Sequence, residues 1–144
     1  MASTTDAFIK LVKKVGEFFN PSDEQNVENS WNMHLKKYGE KSVCKITDDY
    51  DENCDMIVFN QATGIMRKYH GHKGARGMTR AMLALVTDSG GDREELVSEI
   101  SEEDKTVFVA WRDLKSGIMD YTDNVTYNSD FKIIRQYIIY RKDV

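Results

Sequence analysis

The residue best placed to do chemistry is Asp123, in the middle of a strand-like run over residues 118–127. A period of two predicts one strand face made of Tyr121, Asp123, Val125 and Tyr127. If that face points inward, Asp123 is a carboxyl in apolar surroundings, and lost hydration raises the pKa of such a group. It can then act as a general acid or base near neutral pH. A structural aspartate, bonded to nearby backbone or to Arg135, is the alternative interpretation.

His34 is the second residue that can move a proton. It follows Val27 and Trp31, and precedes Tyr38, at helical spacing on one stripe. The pKa of an unperturbed histidine is about 6.5, so both of its charge states are accessible at neutral pH. The alternative is a buried histidine that is hydrogen-bonded to a tyrosine and has only a structural role.

Aromatic side chains supply the walls of a pocket. A buried tyrosine or tryptophan offers an apolar ring together with a polar group that can bond an oxygenated ligand. We expect six ligand-binding residues: Trp31, Tyr38, Trp111, Tyr121, Gln136 and Tyr140. Gln136 and Tyr140 share one face of the last strand-like run, but the pattern leaves open which face is inward. A plain core role is the alternative for the aromatics.

Other reactive residues lack a known functional spacing. His70 and His72 flank Gly71 without further ligands at metal-site spacing, so we expect no metal and place both histidines at a pocket rim. Cys44 and Cys54 match no zinc or redox motif. No phosphate-binding glycine loop, hydrolase motif or zinc-protease motif occurs, so we expect no cofactor.

Helices followed by a sheet must position these side chains. Apolar periodicity predicts amphipathic helices over residues 6–19 and 24–38, with a break at Pro21 and a stop near Gly39. The acidic residues 48–52 read as a solvated loop. Short strands over 56–59 and 65–69, then a helix around 78–86, precede four strand-like runs: 94–100, 106–111, 118–127 and 132–141. Helices first and strands afterwards are typical of the α+β class.

Composition narrows the possible partners. A chain of 144 residues has the size of one domain. The net charge is -4 and no lysine or arginine cluster occurs, so we expect no nucleic-acid partner. No stretch approaches the roughly 18 apolar residues of a membrane span, and residues 1–6 do not begin a signal peptide. We therefore expect a cytoplasmic protein that does not associate with membranes.

Two stretches of the sequence resemble the nuclear transport factor 2-like superfamily, in particular its SnoaL-like polyketide cyclases and ketosteroid isomerases. Residues 69–76, with the sequence YHGHKGAR, resemble the glycine-marked start of the family's third helix. Residues 120–127, followed by 131–136, resemble its final hairpin. The resemblance extends over about residues 6–141. It implies one domain, residues 1–144, shaped as a cone-like α+β barrel in which N-terminal helices pack on a curved, mostly antiparallel sheet enclosing a pocket.

The resemblance also implies two possible functions. Asp123 matches the acidic residue that cyclases and ketosteroid isomerases use in that hairpin, as base in one and oxyanion donor in the other. The second aspartate of the isomerases has an apolar counterpart in residues 56–59, which disfavours their reaction. We expect a pocket for a small apolar, oxygenated ligand. If the protein is an enzyme, we expect it to catalyse an isomerisation, cyclisation or dehydration without a cofactor. His34 and a tyrosine would then assist Asp123.

The alternative is a non-enzymatic binding or assembly module. Members of the superfamily often pair through the exposed face of the sheet. Here that face carries Thr122, Asn124 and Thr126, so we also expect a homodimer formed through the sheet.

Overall fold

The computed structural model describes residues 25–86 and 93–143. Three helices, α1 (Val27–Gly39), α2 (Val43–Thr47) and α3 (Gly71–Val86), lie on one face of a six-stranded sheet. The helix expected over residues 6–19 lies outside the described residues. Within those residues no helix has the length and the apolar content needed to cross a bilayer.

The sheet is mixed and open. Its strands are β1 (Tyr50–Asn60), β2 (Ile65–His70), β3 (Arg93–Ser101), β4 (Thr106–Asp113), β5 (Ile118–Tyr127) and β6 (Ile133–Lys142). They lie in the order β2-β1-β6-β5-β4-β3, so β2 and β3 form the edges. Every neighbouring pair is antiparallel except β1 and β6, which run parallel. Shifts of register within the ladders mark bulges, which bend strands. The expected cone-like α+β fold is confirmed.

The inward faces of the last strands follow the expected alternation. On β5, Tyr121 and Asp123 are buried, whereas Asn124 is exposed. On β6, Gln136 and Ile138 are buried, which settles the face that the sequence pattern left open. The inner face therefore carries both a carboxyl and an amide, and these two strands are adjacent.

Helix α1 begins later than the periodicity predicts. Its N-cap is Asn26, whose side-chain oxygen accepts a hydrogen bond from the Asn29 backbone N–H at 2.8 Å. The carboxylate of Glu102 also accepts from the Val27 N–H, at 2.5 Å and 3.1 Å. A negative charge at a helix N-terminus is favourable, so a contact from the β3–β4 turn helps to fix the start of α1.

The acidic segment 48–52 is not a solvated loop. It contains Asp48, the C-cap of α2, and the beginning of β1, and Tyr50 is buried there. Helix α2 is too short to show an apolar period, which explains why the sequence did not reveal it. The correction matters because it brings Asp49 and Tyr50 beside α1.

Helix α3 extends further toward its N-terminus than expected. It begins at Gly71, where the backbone φ of 67° lies in the left-handed region that glycine tolerates. A Cβ atom at Gly71 would lie 3.1 Å from the Glu52 carbonyl oxygen, and one at Gly74 would lie 3.1 Å from Tyr69. These glycines let the helix start pack closely against β1 and β2.

Candidate acid–base pocket

A cavity of about 70 Å³ lies between helices α1 and α3 and the inner face of strands β3 to β6. We call it the α1 cavity. The described residues that line it are Trp31, His34, Leu35, Tyr38, Met82, Leu85, Arg93, Val109, Trp111, Tyr121, Gln136 and Ile138. One buried water needs roughly 10–15 Å³, so the α1 cavity has room for a small molecule or for one end of a larger one.

The structure brings most of the expected ligand-binding residues to this cavity. Trp31, Tyr38, Trp111, Tyr121 and Gln136 all line it. Their role in binding a ligand stays a prediction.

Tyr140 is placed differently from the expectation. It does not belong to the lining, and its ring centroid lies 6.2 Å from that of Tyr121. Tyr140 therefore neighbours a residue of the cavity wall and does not line the α1 cavity itself.

Asp123 is buried and bonded to neutral partners. Only 6% of the residue is exposed. Both of its carboxylate oxygens accept from Gln136 Nε2 at 3.0 Å, and Gln136 Oε1 accepts from the Tyr50 hydroxyl. An ionised carboxylate can only accept hydrogen bonds, so the amide nitrogen must face Asp123 and the amide oxygen must face Tyr50. The three side chains thus form a chain with one defined orientation.

The environment of Asp123 makes it titrate near neutrality. Burial raises the pKa of Asp123 to about 6, against an ordinary value of 3.8. The hydrogen bonds from Gln136 and the positive charges of His34 and Arg93 limit this rise. Arg135, the partner in the alternative interpretation, is exposed, and it is Gln136 that bonds Asp123.

His34 is bonded on one side only. It is 1% exposed, and its Nδ1 lies 2.8 Å from Asp49 Oδ2. Its Nε2 is buried and has no hydrogen-bond partner within residues 25–86 and 93–143. Tyr38 and Tyr50 contact the imidazole edge-on, with ring centroids 5.1 Å and 5.8 Å away. The expected hydrogen bond to a tyrosine does not form, and His34 lines the α1 cavity instead.

Asp49 is the residue that the sequence interpretation missed. Its second oxygen bonds Lys37 Nζ, and its side chain is 16% exposed. Burial opposes ionisation, but the hydrogen bonds and charges of His34 and Lys37 outweigh it, so the pKa of Asp49 lies below its ordinary value. The available signal was the three-residue spacing of His34 and Lys37, which places both on one side of α1.

Arg93 is a second functional residue that the sequence did not indicate. Its guanidinium carbon lies 4.1 Å above the centroid of the Trp111 ring, a cation–π contact. Burial lowers the pKa of Arg93, but an arginine remains charged in proteins. The α1 cavity therefore has a cationic group in its wall.

The two glycine-flanking histidines are engaged elsewhere. His70 Nδ1 lies 2.8 Å from Asp55 in an exposed pair, and His72 Nε2 lies 2.7 Å from the Tyr50 carbonyl oxygen. Neither lines the α1 cavity. The described part of the chain contains no group of three or more histidine, cysteine or acidic side chains arranged to hold a metal ion.

No protein-family model and no curated protein sequence matches this chain. Solved structures do share its fold. One is the epoxide hydrolase/cyclase-like enzyme SalBIII, with a role in pyran ring formation in the polyether salinomycin (TM-score 0.58, 15% identity, 79% of this chain and 89% of that chain). Another is a steroid delta-isomerase from Pseudomonas aeruginosa (TM-score 0.58, 10% identity, 85% and 84%).

A third similar structure is a SnoaL-like protein of unknown function from Burkholderia thailandensis (TM-score 0.50, 15% identity, 93% of this chain and 95% of that chain). These matches agree with the resemblance carried by residues 69–76 and 120–136. The chain therefore has the SnoaL-like fold of the nuclear transport factor 2-like superfamily. Identities this low show the fold and leave the activity to be argued from the site.

Proposed function

We propose that the protein binds a small, largely apolar, oxygen-bearing molecule in the α1 cavity and moves a proton on it without a cofactor. An isomerisation, cyclisation or dehydration is the expected reaction class. The observation that carries this proposal is the pairing of two acid–base groups beside one apolar cavity. Asp123 has a pKa of about 6, and the unpartnered Nε2 of His34 lies within range of its charge.

The geometry favours His34 as the group that meets the ligand. His34 and Gln136 line the α1 cavity, whereas Asp123 lies behind Gln136 and is bonded to it. His34 therefore exchanges the proton with the ligand, and the Asp123 carboxylate stabilises the imidazolium that forms. This arrangement reverses the order expected from the sequence, in which Asp123 was the acid or base and His34 assisted it.

The cavity wall supports an apolar ligand with one or two oxygens. Trp31, Leu35 and Trp111 supply apolar surface, and Tyr38 and Tyr121 carry hydroxyl groups. Two of the similar structures are named for cyclase-like and isomerase activities. Those names support the reaction class but do not identify a substrate for this chain.

The first test is the pKa of Asp123, measured by NMR titration of carboxyl carbons in the labelled protein. We expect a value near 6, assigned with Asp123→Asn. A value at or below about 3.9, the figure for an ordinary aspartate, would contradict the proposal, because Asp123 would then be hydrated or paired with a cation instead of lying in apolar surroundings beside the cavity.

Proton transfer is tested as the exchange of the α-hydrogens of cyclohexanone for deuterium. General acid–base catalysis contributes roughly 10²–10⁴-fold, so His34→Ala is expected to abolish the protein's acceleration. Asp123→Asn is expected to reduce the acceleration by about tenfold or more. Asp48→Asn, an exposed aspartate beside Asp49, is the matched control. An acceleration that survives in His34→Ala would remove His34 from the mechanism.

A homodimer is the second function that a specific observation favours. A row of side chains without charge crosses the outer face of all six strands at paired positions: Met66, Phe59, Ile139, Thr122, Ala110 and Val97. We call it the outer row. Ile139 is 36% exposed and its neighbour Tyr137 is 38% exposed. An apolar stripe of this kind on a sheet face is typical of a protein–protein interface.

We propose that a second copy of the chain covers the outer row. Asn124 and Thr126 extend the same face of β5 beyond Thr122. Light scattering coupled to size exclusion tests this proposal. Wild-type protein is expected to have the mass of a dimer and Ile139→Asp that of a monomer, with the exposed Lys36→Glu on α1 as control. A monomeric wild-type protein would contradict it.

A further inference from the structure

The Asp49 carboxylate is held in a fixed place beside His34. The Asp49 backbone N–H donates to the Ile46 carbonyl at 3.0 Å, and the Asp49 carbonyl accepts from the Ile133 N–H at 2.8 Å. Both backbone groups are therefore bonded, one to α2 and one to β6. The side chain then spans from this anchored position to His34 and Lys37 on α1.

This contact determines which nitrogen of His34 carries the proton. A carboxylate can only accept a hydrogen bond, so Nδ1 must be the donor to Asp49. The ammonium group of Lys37 is bonded to the other carboxylate oxygen and already balances the negative charge of Asp49. In its neutral form the imidazole therefore carries its hydrogen on Nδ1, and its Nε2 is left as a lone-pair acceptor.

That acceptor belongs to a side chain that lines the α1 cavity. Nε2 of His34 is buried and has no donor within residues 25–86 and 93–143, and His34 lines the cavity. The imidazole also has Trp31 and Tyr38 on the same helix and Tyr50 on β1 as ring neighbours, and the charge of Asp123 on β5 interacts with it. A buried acceptor without a partner is costly, so a ligand that brings a donor to this nitrogen gains affinity.

We infer that the Asp49–His34 pair makes the α1 cavity selective for ligands that present a hydroxyl group to Nε2 of His34, such as phenols, enols and compact alcohols. Asp49 and Lys37 are then positioning residues, because they act through His34. This inference rests on the proposed ligand-binding function and adds the class of ligand.

The tautomer is measured first, in the protein without ligand. Long-range proton–nitrogen NMR at about pH 8, above the pKa of an ordinary histidine, is expected to show hydrogen on Nδ1 of His34. In the Asp49→Asn variant, the oxygen of the new amide is expected to stay bonded to Lys37, so its N–H group faces Nδ1 of His34. Nδ1 must then accept a hydrogen bond, and the imidazole hydrogen moves to Nε2. Asp48→Asn leaves the tautomer unchanged. Hydrogen on Nε2 in the wild-type protein would overturn the inference.

Selectivity is measured with phenol and fluorobenzene, two rings of nearly equal size of which only phenol has a donor. Because an unpaired buried acceptor is costly, we expect wild-type protein to bind phenol about tenfold more tightly. Asp49→Asn is expected to lose this preference, while Asp48→Asn keeps it. Equal binding of both rings by the wild-type protein overturns the inference and leaves the pocket standing. Failure of both rings to bind overturns the pocket and the inference together.

Discussion

Two carboxyl groups act on His34, and their surroundings are opposite. Asp49 lies in the turn before β1 and has a histidine and a lysine as partners. Asp123 lies in the middle of β5, and both of its carboxylate oxygens accept from the amide of Gln136. The pKa of Asp49 is lowered from its ordinary value, whereas burial raises the pKa of Asp123 to about 6.

The difference shows how position in the fold sets the chemistry of one residue type. In the turn before β1, the ammonium group of a lysine reaches the carboxylate, and both side chains stay partly exposed, at 23% for Lys37 and 16% for Asp49. The centre of an inward-facing strand offers neutral neighbours and little water. Asp49 is therefore a fixed anion, and Asp123 is a group that changes charge near neutral pH.

The largest expected effect is the pH dependence that Asp123 gives to the free energy of unfolding. The pKa of about 6 for Asp123, against an ordinary 3.8, corresponds to about 3 kcal/mol of folding free energy. The folded state binds the proton more tightly, so this contribution is present below about pH 4 and is lost as the pH rises to about 6. Asp123→Asn removes that slope, measured by urea denaturation across this range. An unchanged slope would show that Asp123 is not the titrating group.

A smaller effect is expected from removing Asp49. Asp49→Ala leaves Nδ1 of His34 buried without its acceptor, which costs about 1–3 kcal/mol of unfolding free energy at neutral pH. Because the pKa of Asp49 is lowered, its contribution is present above the ordinary aspartate pKa and is lost as the pH falls through the folded value. The gap between wild type and variant therefore narrows in acid. Asp48→Ala is the control, and an equal loss in it would contradict the assignment.

The smallest expected effect concerns the amide that holds Asp123. Gln136→Leu removes both hydrogen bonds to the carboxylate, and the pKa of Asp123 is expected to rise further, by about one unit. The pKa of Asp49 stays where it is. Arg135→Leu, which alters the exposed neighbour, is expected to leave both values unchanged. NMR titration of the two carboxyl carbons distinguishes these outcomes.

Local patterns in the sequence predicted the positions of Asp123 and His34 but not that of Asp49. The alternation along residues 118–127 placed Asp123 on the same face as Tyr121, and the helical stripe placed His34 beside Trp31, because both periods arise from neighbouring residues. The four final strands were found within one or two residues of their observed bounds. The α+β class followed from the same patterns.

The places of Asp49 and Arg93 and the start of α1 depend on contacts between residues that are distant in the sequence, which no local pattern reveals. Asp49 lies 15 residues from His34, in an acidic segment whose composition is typical of a solvated loop. The start of α1 depends on Glu102, 75 residues away from Val27. Arg93 stands at the first position of β3, where alternation gives little warning that it will stack on Trp111.

The parallel pairing of β1 with β6 has a consequence for the order of folding. The Tyr50 hydroxyl and the Gln136 amide are bonded across 86 residues of chain, and such distant contacts form slowly. On the ribosome, the helices and the first hairpin emerge long before the strand that completes the chain of Tyr50, Gln136 and Asp123. The chain of Tyr50, Gln136 and Asp123 is therefore completed only when β6 inserts between β1 and β5.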